Sequence, residues 1–172
     1  MKRERNALYF VCVAVLSLLV LPLVAFADDA VRWREIRGII QAGNLVGAGT
    51  GQVMGAGQPW TATRGNARAN LGEGDIQFEV RGLVLAGGNS IGTRGGVAEV
   101  KGTLVCDTNG SAGGGHSVLV DTPLVALNAQ GEAKFNGNVG PLPDACVDEP
   151  DIAFLIRTSG GAWIANGAVR IP

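Results

Sequence analysis

Histidine is all but missing from this chain: His116 stands alone among 172 residues. A metal centre built on imidazoles, or a histidine proton relay, therefore has one residue to draw on. Aromatics are scarce as well. Tyr9, Phe10 and Phe26 fall near the start, which leaves Trp33, Trp60, Trp163, Phe78, Phe135 and Phe154 for the remainder. Six rings do not make a stacking platform for bases or sugars. Basic charge is not in excess either. The 145 residues from Asp28 onward hold 11 bases and 14 acids, a net charge of −3. A nucleic-acid binder or a protein held electrostatically on anionic lipid concentrates the opposite sign. Phosphate loops are absent, and the glycines from Gly47 to Gly57 miss the dinucleotide fingerprint because Met54 occupies its last glycine position.

What is present begins with an export signal. Lys2, Arg3 and Arg5 precede an apolar run from Ala7 to Val24, and Ala25-Phe26-Ala27 stands directly before Asp28-Asp29. This is the order a signal peptidase reads: charged start, short apolar helix, small residues at the cut. The alternative is a retained membrane anchor, disfavoured by Pro22 and by the small residues at Ala25 and Ala27. The expected division is a cleaved signal over 1–27 and one domain over 28–172, secreted or periplasmic. A chain of this length buries roughly 70% of its unfolded surface and sustains its own core.

Cleavage removes Cys12 and leaves Cys106 and Cys146. In an oxidising compartment an isolated pair is read as a disulfide. A metal site is disfavoured, since only His116 could join them and the spacing fits no zinc pattern.

No segment past the signal keeps a helical period over three turns, and alternation dominates. Ile76, Phe78 and Val80 oppose Gln77, Glu79 and Arg81; Val100 and Leu104 oppose Glu99 and Lys101; Ala133, Phe135 and Val139 oppose Glu132, Lys134 and Asn138. Ile152, Phe154 and Ile156 form another face, and Trp163, Ala165, Val169 and Ile171 the last. Gly72-Glu73-Gly74-Asp75, Asp107-Thr108-Asn109-Gly110 and Ser159-Gly160-Gly161 supply turn chemistry between strands. Asn136-Gly137 and Asn166-Gly167 fall inside strands and are expected to mark bulges. Trp33 and Trp60 lie outside clean strands, and the glycine-spaced stretch from Gly43 to Trp60 gives no firm strand. The pattern predicts an all-β fold, an antiparallel β-sandwich of about eight or nine strands, with a closed β-barrel as the alternative.

Chemical constellations are few. Gly115-His116-Ser117 approaches a nucleophile elbow, but Leu119 stands where the motif needs glycine. Neighbours along a strand also point to opposite faces. Asp107-Thr108-Asn109-Gly110-Ser111 begins like an EF-hand loop, yet Ala112 and Val118 hold the positions of its glycine and its glutamate. Asp144, Asp148, Glu149 and Asp151 form the one acidic group dense enough to consider for Ca²⁺, a weak candidate, since a solvated loop in an acidic protein is the favoured reading. No catalytic residue and no cofactor is assigned.

The segments Val100-Lys101-Gly102-Thr103-Leu104-Val105-Cys106, Ser117-Val118-Leu119-Val120-Asp121-Thr122-Pro123 and Trp163-Ile164-Ala165-Asn166-Gly167-Ala168-Val169-Arg170 resemble small secreted bacterial β-rich proteins of unassigned function. The resemblance covers about the C-terminal hundred residues. It implies a bacterial envelope or extracellular protein and carries over no catalytic residue. The expected function is a non-enzymatic exported β-domain that binds or supports an unknown envelope or extracellular partner, with no nucleic acid and no membrane contact after cleavage. Two alternatives stay open: a carrier of a small apolar ligand, and a hydrolase using His116 or the strand carboxylates Glu79, Glu99 and Asp121.

Overall fold

The structure is a computed structural model that describes residues 30–112, 114–147 and 151–171. The expected signal segment lies outside the described residues. Thirteen strands are present among those described: β1 (Ala30–Gly38), β2 (Leu45–Val46), β3 (Val53–Met54), β4 (Trp60–Thr61), β5 (Arg64–Asn70), β6 (Asp75–Arg81), β7 (Val84–Leu85), β8 (Glu99–Cys106), β9 (Val118–Asp121), β10 (Val125–Ala126), β11 (Ala133–Asn138), β12 (Ile152–Thr158) and β13 (Trp163–Ile171). One helical turn, α1 (Asp144–Val147), precedes β12. The fold is all-β.

Nine strands form one antiparallel sheet in the order β10-β8-β12-β13-β1-β5-β6-β11, with β9 beside β10 on the same edge of β8. The sheet curls onto itself. Phe78 on β6 and Phe154 on β12 are separated in the sheet by three strands, yet their ring centroids lie 5.7 Å apart. Trp33 on β1 meets Phe154 at 5.5 Å. The two layers foreseen from alternation are thus opposite walls of one continuous sheet, and the core lies between them. Ile76, Phe78 and Val80 are buried as their alternation requires, and so are Val100, Leu104, Ile152, Phe154 and Ile156. The sheet's two ends, β10 and β11, approach with Cα atoms within 8 Å but share no ladder. After β11 the chain crosses to α1, where Cys146 is bonded to Cys106 at the end of β8. The disulfide therefore ties the turn α1 to the end of β8. Both cysteines are fully buried.

Several expectations change. Trp33 lies in a regular strand, β1, paired with β13 on one side and β5 on the other. Its ring is core, 2% exposed. Register runs unbroken through Asn136-Gly137 and Asn166-Gly167, so neither is a bulge. Glycine serves close approach there instead: the rings of Phe135 and Trp33 lie 3.0 and 2.6 Å from where a Cβ would stand on Gly137 and Gly167. The irregularity falls between Ile156 and Arg157. Val169 was expected on an apolar face and is exposed. Its backbone takes φ +53°, which turns the side chain out of the alternation.

The glycine-spaced stretch is an arm. β2 and β3 pair with each other, and the 3₁₀ turn Gly49–Gly51 lies between them. The arm is held on the sheet by Ala56 N–H to Trp163 O at 2.9 Å and by the Trp163 indole N–H to Asn44 O at 3.0 Å. It explains why Val105 and Leu155 are buried although they alternate with the inward residues Leu104, Phe154 and Ile156.

Candidate functional site

The residues singled out for chemistry are held by three local structures. The first fastens the arm. Ser117 Oγ accepts from Ala48 N–H at 2.7 Å and donates to Asp107 O at 2.7 Å. His116 Nδ1 accepts from Thr50 N–H at 3.1 Å. A Cβ on Gly51 would stand 1.9 Å from Ser117 O, so the arm reaches β9 only because its backbone is bare there. Ser117 Oγ and His116 Nδ1 are thus engaged by the arm and not by each other.

The second is the turn after β8. Asp107, buried and at φ +53°, accepts from Ser111 N–H at 2.7 Å and from Ala112 N–H at 3.1 Å. Its oxygens organise a turn, as the failed EF-hand pattern implied. Among the described residues no group of three or more His, Cys, Asp or Glu could hold a metal ion. Of the acidic group, Asp144 opens α1 and Asp151 accepts from the Asn109 side-chain amide. Asp148 and Glu149 lie outside the described residues.

The third is centred on Asp121 at the end of β9. Lys101 Nζ lies 2.5 Å from Oδ2, Thr103 Oγ1 donates to Oδ1 at 2.6 Å, and Arg157 Nη1 stands 3.1 Å from Oδ1. Burial alone would raise the pKa of this carboxyl. Hydrogen bonds from Lys101 and Thr103 and the charges of Arg157 and Lys101 outweigh burial, and the pKa sits below the ordinary carboxylate value. A carboxylate so bound is a strut. Glu79 on β6 is paired with Arg81 at 2.6 Å, and Glu99 is exposed at the start of β8. The structure therefore distributes Glu79, Glu99, His116 and Asp121 over β6, β8, the loop before β9 and β9 itself.

Three of the grooves on the outer surface lie along the β10–β11 seam and over β1, β4, β5 and β6. One of about 520 Å³ follows the seam between β10 and β11, with Glu79, Arg81, Glu132 and Lys134 on its walls. The other two adjoin each other over β1, β4, β5 and β6. One of about 480 Å³ is walled by Arg34, Glu35, Arg37 and Arg64, with Ile40 beside them, and one of about 370 Å³ by Arg34, Arg64, Asn66, Glu79 and Arg81. Arg34, Arg64 and Gly65 belong to both, so the two make one trough across three strands. This cluster of arginines was not singled out from sequence. Its signal was present in the alternation Arg32-x-Arg34 and Arg64-x-Asn66-x-Arg68, which places like residues on one face of a strand.

No protein-family model, curated protein or solved structure matches this chain.

Proposed function

We propose that the chain past residue 27 is an exported, non-enzymatic β-domain with a binding or structural role at the cell envelope or outside the cell. One observation carries the reading: the Ser117 hydroxyl, the His116 Nδ1 and the Asp121 carboxylate are engaged within the fold. Ser117 and His116 fasten the arm, and Asp121 is bound by Lys101, Thr103 and Arg157. A buried disulfide is compatible with an oxidising, exported location. Among the described residues no helix is long and apolar enough to cross a membrane. The order of charged start, apolar run and Ala25-Phe26-Ala27 supports export and cleavage. Against the apolar-carrier alternative, Phe78, Phe154, Trp33 and Ile156 fill the space between the walls where a ligand would sit.

Fractionation of producing cells tests this. Expected is a protein beginning at Asp28, outside the cytoplasm, with Cys106 and Cys146 joined. A cytoplasmic protein beginning at Met1 with two free thiols overturns export. Turnover in a broad hydrolase screen that disappears in Asp121→Asn or His116→Ala overturns the non-enzymatic reading.

A further inference from the structure

We propose that the arginine-walled trough over β1, β5 and β6 binds a linear polyanionic glycan, a polysaccharide carrying carboxylate or sulfate groups. This rests on the binding reading above and names its ligand class.

The charge of the molecule is sorted by the fold. β1, β5 and β6 carry six arginines against three acids, while the chain from Asp28 onward is acidic as a whole. Like charges also face each other directly. Arg64 is the cross-strand partner of Arg81. Direct like-charge pairs on one sheet face are destabilising. Glu79 offsets part of this at Arg81, and Glu35 takes Arg37 at 2.6 Å. Glu35 and Glu79 also line the trough, each paired with its own arginine; among the described residues neither pairs with Arg34 or Arg64, the two arginines common to both halves. An anion bridging these guanidiniums would relieve the repulsion and gain charge-assisted hydrogen bonds.

Shape and lining select the class. The charges stand along two adjoining grooves of about 480 and 370 Å³, not on a flat plane. An extended chain can lie along them, whereas a sheet of lipid headgroups meets their rim. Strands repeat every 4.7–4.9 Å across a sheet, close to the length of one sugar unit, so successive acidic sugars would meet successive arginines. Thr61 and Asn66 offer polar groups suited to sugar hydroxyls, and Ile40, 88% exposed, offers an apolar surface for a ring face. The trough's one aromatic, Trp60, is 5% exposed and cannot stack on a base, which disfavours single-stranded nucleic acid.

Fluorescence anisotropy with labelled oligogalacturonate and with a labelled heparin oligosaccharide tests the proposal on the full mature protein. Binding of one or both is expected, weakening as sodium chloride is raised; the probe that binds assigns carboxylate or sulfate. Arg34→Ser/Arg64→Ser should weaken it about tenfold or more, with a melting temperature equal to or above that of the parent. Arg94→Gln, outside the trough, should bind as the parent does. Three results overturn the assignment: neither oligosaccharide binds, the double variant binds as tightly as the parent, or Arg94→Gln loses as much. So does equal or tighter binding of polyglutamate, of phosphatidylglycerol vesicles or of an oligonucleotide. If the glycans fail while the protein is found exported and without turnover, the ligand class falls and the wider reading stands.

Discussion

Gly102 on β8 is the position where a single methyl group distinguishes a curled sheet from a flat one. A Cβ there would stand 2.9 and 3.0 Å from Phe78 Cδ1 and Cε1 and 3.0 Å from Phe154 Cζ. Carbon atoms pack best at about 3.5–4.0 Å, so both rings would have to give. They have little room, since Phe78 is 1% exposed and Phe154 not at all. In a flat strand Gly102→Val would be favourable, by roughly 1 kcal/mol of strand preference and about 0.4–1 kcal/mol of lost chain freedom in the unfolded state. Overpacking a core costs about 1–3 kcal/mol, and the branched side chain lies at the upper end because its methyls reach further than the Cβ. Gly102→Val is therefore expected to destabilise by about 1–2 kcal/mol net in guanidinium unfolding followed by tryptophan fluorescence, with unchanged slope. Phe78→Leu added to Gly102→Val should cost less than Phe78→Leu alone, a coupling of about 1 kcal/mol across the interior. A stabilised Gly102→Val, or strict additivity with Phe78→Leu, would refute the packing of β8 against β6.

Three further outcomes follow from the arm, the crosslink and the buried ion cluster. Ser117→Ala leaves Ala48 N–H and Asp107 O without their hydroxyl partner and should cost about 1–3 kcal/mol, with faster hydrogen exchange at Ala48 than in the parent. Joint replacement of Cys106 and Cys146 by Ala opens a loop of sequence separation 40 and should lower stability by up to about 4 kcal/mol in urea titration. For Asp121 the folded pKa lies below the unfolded one, so its ionised form contributes stability above pH ~4 that is lost as pH falls through the folded value. The stability gap between the parent and Asp121→Asn should accordingly be open at neutral pH and narrow on the acid side of ~4; a gap independent of pH would show that the carboxylate's charge is not what matters.

Much of the fold could be read along the chain because it is written locally. β6 and β11 alternate between water and core, and the disulfide followed from there being two cysteines left after Cys12. β1 escaped because its alternation holds only through Arg34 and fails at Glu35, where two exposed residues stand in succession before Ile36. The curl escaped for a different reason. Alternation states that one face is dry; it does not state which strands pair, and the meeting of Phe78 with Phe154 depends on partners some 75 residues apart. The arm had a readable trace in the continuous burial from Gly102 to Cys106, where an apolar run marks a strand covered on both faces. The arginine trough was hidden by averaging: a net charge sums over the chain, while β1, β5 and β6 collect six of its bases on three neighbouring strands.

Ring-to-ring nuclear Overhauser effects in the oxidised protein test the single curled sheet most directly. Cross-peaks from Phe78 ring protons to both the Phe154 ring and the Gly102 Hα are expected, since these groups meet only if the opposite walls close on one core. Phe78 contacts confined to its sheet neighbours Ala67 and Phe135, with none to Phe154 or Gly102, would contradict it.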